Sequence, residues 1–226
     1  MNNLDLYAKI EPMIGFYEAY EMLYKNYLHL LKQYHVRTIL DVGCGNGKFL
    51  KHLEKKYQAE GIDLSLEMVK IAKKSGVNAR QCYLHEVDKK YDAIVAAGDV
   101  LNYMQENSLK KFLDDICEKL EENGTFICDI NTLYGFEDIA AGCMNVDEDE
   151  KFLAIDASFD ENILETNFTL FSCQNHCYQK EEATIFQYYH EVKEIESLTT
   201  MKLVEIKDIS LFSDESDKTI LVFQKA

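Results

Sequence analysis

Thr38-Ile39-Leu40-Asp41-Val42-Gly43-Cys44-Gly45-Asn46-Gly47-Lys48-Phe49-Leu50 is the stretch that decides the fold. Its first five residues form a short apolar strand. Its last residues open a helix whose apolar positions, Phe49, Leu50, Leu53 and Tyr57, face away from a row of lysines. Between strand and helix stand three glycines in the pattern G-x-G-x-G. Glycine permits the tight turn there and lets backbone amides approach a ligand without Cβ contacts. A strand entering a helix through such a turn sets that turn at the C-terminal edge of a parallel sheet.

Outward from this core the same alternation continues. Residues 59–63 read as a second strand, followed by a helix marked by Met68, Ile71 and Ala72 and stopped by Gly76. Residues 79–84 give a third strand and 91–97 a fourth, apolar on both faces as a central parallel strand is. Ser108 is the expected cap of a helix carrying Leu109, Phe112, Leu113, Ile116, Cys117 and Leu120, with Gly124 ending it and a fifth strand at 125–130. Upstream, Phe16, Tyr20, Leu23, Tyr24, Tyr27, Leu30, Leu31 and Tyr34 recur at helical spacing. After residue 131 the pattern changes. Residues 152–159, 163–173 and 177–189 are β segments with no helix between them, and the acidic run at 145–150 reads as an exposed loop. A helix at 190–198 and a hairpin of strands at 203–209 and 219–223 close the chain. The expectation is an α/β fold: a seven-stranded, mostly parallel sheet with an antiparallel C-terminal strand, plus an antiparallel β insertion. Residues 1–131 and 190–226 make the main domain with an N-terminal helical lid, and 132–189 make the insertion.

Bulk composition narrows the function classes. The 226 residues carry 40 acids against 24 bases, a net charge of −16. Such a surface repels phosphate backbones and anionic lipids, which opposes nucleic-acid and membrane partners. No long charge-free apolar run exists to span a bilayer. The start, Met1 to Asp5, lacks a basic region followed by an apolar one, so a cytoplasmic location is expected. The seven cysteines then read as reduced thiols, several inside apolar runs. Cys173-Gln174-Asn175-His176-Cys177 is read as a hairpin turn rather than a metal site, because structural zinc needs four ligands and no second pair lies near.

Asp63 ends the second strand, 22 residues after Asp41 and 16 after Gly47. A carboxylate there accepts hydrogen bonds from both hydroxyls of a ribose. Dinucleotide sites use G-x-G-x-x-G, whereas here the third glycine comes one residue early and Lys48 holds the dinucleotide position. Asp41 precedes the first glycine by two, placed to hold the loop or the amino-acid part of a zwitterionic ligand. S-adenosylmethionine, with an ammonium, a carboxylate and no phosphate, suits this chemistry better than NAD.

With these residues the sequence resembles the class I S-adenosylmethionine-dependent methyltransferases. The resemblance rests on residues 39–47, on Gly61-Ile62-Asp63-Leu64-Ser65, on Tyr91-Asp92-Ala93-Ile94-Val95 and on Leu120-Glu121-Glu122-Asn123-Gly124-Thr125, and it covers roughly residues 36–131. It implies a Rossmann-like fold and a cofactor site built from Asp41, Gly43, Cys44, Gly45, Gly47, Asp63, Leu64, Tyr83, Leu84 and Asp99. The chain departs from the family where Gly-Asp usually follows the third strand: Cys82-Tyr83 stands there. Adenine contacts then fall to a backbone amide near Leu84 and to apolar packing, with His85 or Glu86 as alternatives.

On the acceptor side, the segment Gly98 to Tyr103 follows the fourth strand and, in this fold, faces the methyl group. It offers Asp99, Asn102 and Tyr103, against the plainer reading of a capping loop. With Asp129-Ile130-Asn131-Thr132, it is similar to small-molecule methyltransferases that carry a β insertion after the fifth strand. Tyr17 and Tyr188 are expected beside the acceptor, and one or two of Tyr7, Tyr17 and Tyr20 are expected to line the site where a sulfonium or amine meets aromatic faces. Asp99 and His190 are the catalytic candidates, His190 because its ordinary pKa is near neutral. His176, Tyr188 and Tyr189 are further candidates for the base. The insertion also offers a surface for a homodimer. The expected function is in-line methyl transfer to a small-molecule amine or hydroxyl. The alternatives are a non-catalytic S-adenosylmethionine-binding module and an NAD-dependent oxidoreductase.

Overall fold

The computed structural model describes residues 3–174 and 177–225. The chain start, Asn175 of the expected hairpin turn and the candidate base His176 lie outside the described residues. In chain order the strands are β1 (Thr38–Val42), β2 (Gln58–Asp63), β3 (Ala79–Gln81), β4 (Tyr91–Ala96), β5 (Leu120–Asn131), β6 (Gly142–Glu148), β7 (Lys151–Asp160), β8 (Ile163–Gln174), β9 (Cys177–Tyr188), β10 (Lys202–Ile209) and β11 (Lys218–Gln224). The helices are α1 (Asn3–Ile14), α2 (Tyr17–Leu31), α3 (Lys48–Leu53), α4 (Leu66–Lys74), α5 (Glu106–Lys119) and α6 (Val192–Ser197).

The apolar strands pair in the order β10-β11-β5-β4-β1-β2-β3. All neighbours are parallel except around β11, which runs against both β5 and β10. Because β1 and β4 are apolar on both faces, both faces must be covered. Leu109, Leu113, Ile116 and Ile195, from α5 and α6, pack with Leu40, Ile94 and Phe126 on one side. Leu23, Tyr27, Leu30, Phe49 and Leu53, from α2 and α3, pack with Ile39, Val95 and Ile127 on the other. The strand order reverses between β1 and β4, which puts a crevice at their C-terminal ends, where the glycine loop and the segment after β4 meet.

The insertion is a second, antiparallel sheet, β6-β7-β8-β9. Its inner face, with Leu153, Phe168, Leu170, Ala183 and Ile185, is covered by Leu6, Ile10 and Met13 of α1. The N-terminal region is therefore two helices, not one. They break at Gly15, whose φ is +77°, and the first belongs to the insertion as much as to the main sheet. Both Asn3 Nδ2, donating to the Thr184 carbonyl, and the Lys9–Glu181 ion pair tie α1 to β9.

Several expected boundaries move. β3 ends at Gln81, three residues before the expected end. α5 begins at Glu106, whose acid suits the positive helix start, so Ser108 lies inside the first turn rather than capping it. β5 starts at Leu120 and contains Gly124. The acidic run is not a loop: Asp147 and Glu148 finish the edge strand β6, and only Asp149 and Glu150 turn. Charges on an edge strand discourage pairing with another chain. No helix among the described residues is long and apolar enough to cross a membrane. All seven cysteines are free thiols.

Candidate active site

The turn after β1 folds back on β2. Gly43 and Cys44 N–H groups donate to the Ile62 carbonyl at 2.8 and 3.0 Å. Gly47 has φ +79°, and a Cβ there would stand 2.7 Å from Val77 and 3.0 Å from Ala72, so glycine is required by both backbone and space. Asp63 reaches across the loop: one carboxylate oxygen accepts from Gly45 N–H and the other from Ser65 N–H, both at 2.8 Å. Burial raises the Asp63 pKa, and the amides oppose that rise. Asp41 is 1% exposed, and its Oδ2 has no hydrogen-bond partner. Burial, with the neighbouring charge of Asp63, pushes its carboxyl well above the usual range. The Cys44 side chain is turned away, against Gly61 and Leu50, so only its backbone faces the loop.

Beside Asp63 lie Leu64, 44% exposed, and Tyr83, 57% exposed. Tyr83 stacks on His85, with ring centroids 5.5 Å apart. Glu86 is engaged in capping this turn, accepting from Tyr83 N–H at 2.9 Å. Leu84 is buried in the core with Val87 and Leu113, so its side chain does not line the cleft. Above the glycine loop, Asp5 of α1 accepts from the Ser65 hydroxyl at 2.7 Å. Glu11 pairs with Lys48 at 3.1 Å, and the Lys48 ammonium sits 3.8 Å from the centre of the Tyr17 ring. α1 thus bridges the insertion and the loop.

The other wall is the corner after β4. Gly98 and Asp99 both have positive φ, +87° and +56°, before the helical turn Val100–Tyr103. Val100 packs on the glycine loop so closely that a Cβ on Gly43 would lie 2.8 Å from it. Asp129, fully buried on β5, accepts from Gly98 N–H at 2.8 Å, Asp99 N–H at 3.0 Å and the Tyr27 hydroxyl at 2.6 Å. Lys218, at the head of β11, donates to Asp99, to Asp129 at 3.1 Å and to Asn131 Oδ1 at 2.8 Å. Burial alone would lower the Lys218 pKa, but the two carboxylates outweigh it and the ammonium is held protonated. Gln187 of β9 donates to the second Asp99 oxygen at 3.0 Å.

Three phenols surround this corner. The edge of Tyr20 reaches 3.6 Å from where a Gly98 Cβ would stand. The Tyr7 pKa is raised by burial, Asp99 and Glu11, against a hydrogen bond with Tyr20. Tyr103 ends the helical turn that follows Asp99 and is 37% exposed.

Residues 39–124 match the family of methyltransferase domains. Over that stretch the chain is similar to methyltransferase domains. An uncharacterised protein of Methanocaldococcus jannaschii is 33% identical over 129 residues, covering 52% of this chain and 49% of that protein. The chain therefore spans about half the length of that curated relative. Among solved structures, an S-adenosylmethionine-dependent methyltransferase from Clostridium acetobutylicum superposes with TM-score 0.79 at 19% identity, covering 92% of each chain. A sugar N-methyltransferase from Streptoalloteichus gives 0.74 at 14% identity, over 99% of this chain and 93% of that one. At these identities the structures establish a shared fold, including the insertion.

The structure gives several of the expected acceptor residues partners within the protein. Asp99 is ion-paired to Lys218 and is not a free base. Asn102 is buried and braces the corner, donating to the Tyr188 carbonyl at 2.8 Å and accepting from Asn131 N–H at 3.0 Å. The Tyr188 hydroxyl takes a bond from Gln105 at 3.1 Å, outside the phenol cluster. His190 is buried, its ring held by the Met104 carbonyl at 2.9 Å, and burial lowers its pKa despite that carbonyl. Tyr17 holds Lys48 and donates to the Pro12 carbonyl at 3.2 Å. Sequence reasoning missed Lys218, Gln187 and the role of Tyr27. The available signal was Lys218 itself, a charge at the head of the apolar run 219–223. Among the described residues no group of three metal-ligating side chains comes together.

Proposed function

We propose that this chain transfers the methyl group of S-adenosylmethionine to a small-molecule amine, in the cytoplasm. The carrying observation is the glycine loop, where Asp41 holds a buried oxygen without a partner next to Asp63. An unpaired buried carboxylate is costly, and a ligand ammonium compensates it. S-adenosylmethionine supplies that ammonium, a ribose for Asp63 and no phosphate, and its sulfonium supplies an already activated methyl group. Asp63 retains lone pairs beyond the two that its amide donors use. Leu64 and Tyr83 offer apolar surface for the base.

The chain's own contribution is then alignment and exclusion of water. Tyr7, Tyr20 and Tyr103 line the side where an acceptor arrives, and their rings attract a cation by roughly 0.5–2 kcal/mol. Deprotonating a hydroxyl needs a positioned base. Asp99 and His190 are both engaged elsewhere, which favours an amine that loses its proton to solvent before attack. The neighbouring sugar N-methyltransferase fold is compatible with this choice. The acidic surface supports a small acceptor over nucleic acid.

Calorimetric titration with S-adenosylmethionine, S-adenosylhomocysteine and NAD tests the cofactor. Binding of the first two and not NAD is expected, with Asp63→Ala weakening it by roughly 1.5–3 kcal/mol through loss of a charged acceptor. Unchanged affinity in that variant removes the ribose assignment. A labelled-methyl screen over amines, phenols and sugar nucleotides tests the acceptor; label in phenols alone defeats the amine reading, and binding without transfer to any acceptor supports a sensor.

A further inference from the structure

We propose that Lys218 is a positioning residue for this site: from the last strand of the sheet it locks the left-handed Gly98–Asp99 corner against the cofactor loop. The proposal rests on the cofactor reading above. Gly98 and Asp99 occupy backbone conformations that a non-glycine residue at 99 adopts only when its surroundings hold it there. What holds it is a closed set of partners. Asp129 takes both corner amides, and the Lys218 ammonium joins Asp129 to the Asp99 side chain, with Asn131 taking its third proton. Lys218 is 4% exposed, so water does not substitute for these contacts. Without it, two carboxylates would face each other across a dry gap, and mutual repulsion would drive Asp99 outward. Asp99 is followed directly by Val100, which packs on Gly43 of the glycine loop. A shift at Asp99 is thereby a shift in the loop that receives the cofactor. The same ion pair also decides the chemistry: Asp99 is a strut facing Tyr7, Tyr20 and Tyr103 rather than a free carboxylate that would clamp an amine in its protonated, unreactive form.

The test compares Lys218→Met, Lys218→Arg and Asp99→Asn in the full chain. It reads affinity for S-adenosylhomocysteine, thermal midpoint and amide exchange at residues 98–103. Lys218→Met is expected to lose about tenfold or more in affinity while folded, with faster exchange at Gly98 and Asp99. Lys218→Arg restores the charge and recovers most of both. A folded Lys218→Met protein with a lower midpoint but native affinity and native exchange at the corner makes the lysine merely structural and overturns the proposal. Should Lys218→Met not fold, Asp99→Asn carries the test: faster exchange at residue 99 and weaker binding are expected, and native values for both overturn it. If the unaltered protein does not bind S-adenosylhomocysteine, the cofactor reading fails by itself, and corner exchange alone decides the role of Lys218.

Discussion

On the glycine-loop wall Asp41 keeps a buried oxygen unpartnered, and Asp63 folds onto two backbone amides with lone pairs to spare. On the facing wall Asp99, Asn102, Asp129 and His190 are all tied to protein partners. One wall is completed by a ligand; the other is complete already. On the proposed function, binding of the cofactor rests on polar groups held in readiness, and selection of the acceptor falls to the shape and ring faces of Tyr7, Tyr20 and Tyr103. Stability and affinity should therefore separate in opposite ways on the two walls.

The largest expected effect attacks the loop's geometry. Gly47→Val forces a β-branched residue into φ +79° and into the Val77 and Ala72 side chains. Positive-φ strain costs about 1–3 kcal/mol, and overpacking a further ~1–3. A loss of roughly 2–6 kcal/mol in urea unfolding is expected, and a loss below about 1 would show that the turn relaxes freely.

Next comes the brace of the acceptor wall. Asn102→Ala leaves the Asn131 N–H and the Tyr188 carbonyl without their partner. Each orphaned group is part-buried and costs about 1–2 kcal/mol, the lower part of the range for buried groups, so unfolding should come roughly 2–4 kcal/mol more easily. Stability near that of the unaltered protein would mean that water replaces the amide and that this wall is not closed.

These two variants also mark what the sequence discloses. Gly47 is legible because a strand–G-x-G-x-G–helix passage has few other solutions, and Asp63 follows from the next strand end. The parallel sheet was readable from the alternation of strand and helix, and the central place of β4 from its two apolar faces. Asn102 was legible only as a polar residue in the right loop. Whether it faces a ligand or the Tyr188 carbonyl depends on β9, 86 residues away along the chain. Lys218 was harder, since its partners Asp99 and Asp129 come from the corner after β4 and from β5, and single-strand patterning carries no pairing information. α1 was missed because its apolar face belongs to the insertion sheet, and Pro12 in its last turns obscures the period.

A smaller effect, of opposite sign on the cofactor wall, is expected from Asp41→Asn. In the folded chain the Asp41 carboxyl holds its proton more tightly than in the unfolded chain. The folded state then binds more protons, so stability falls as pH rises from about 4, the unfolded value, towards the raised folded value. Asparagine is neutral in both states and takes up no proton on folding. The ligand-free variant should gain about 1–2 kcal/mol near neutral pH and lose that downward slope. It should bind S-adenosylhomocysteine more weakly, because the ligand ammonium no longer meets a carboxylate. A variant less stable than the unaltered protein at neutral pH, with the same slope, would show that Asp41 already has its counter-charge inside the protein.

The smallest effect concerns Tyr17, expected from sequence at the acceptor but found at the roof of the loop. Its ring lies under the Lys48 ammonium, and its exposed hydroxyl donates to the Pro12 carbonyl. Tyr17→Phe keeps the ring and loses one exposed hydrogen bond, so stability should change by about 0.5 kcal/mol or less. Tyr17→Leu removes the ring as well, and at an exposed site cation–π attraction is worth about 0.5–1 kcal/mol. The order Phe above Leu, in both thermal midpoint and S-adenosylhomocysteine affinity, is the signature of a ring that holds Lys48 in place. A hydroxyl that touches the acceptor would give another result. Tyr17→Phe would then keep its stability and cofactor affinity yet slow methyl transfer severalfold, returning Tyr17 to the acceptor wall and reopening the division between the two.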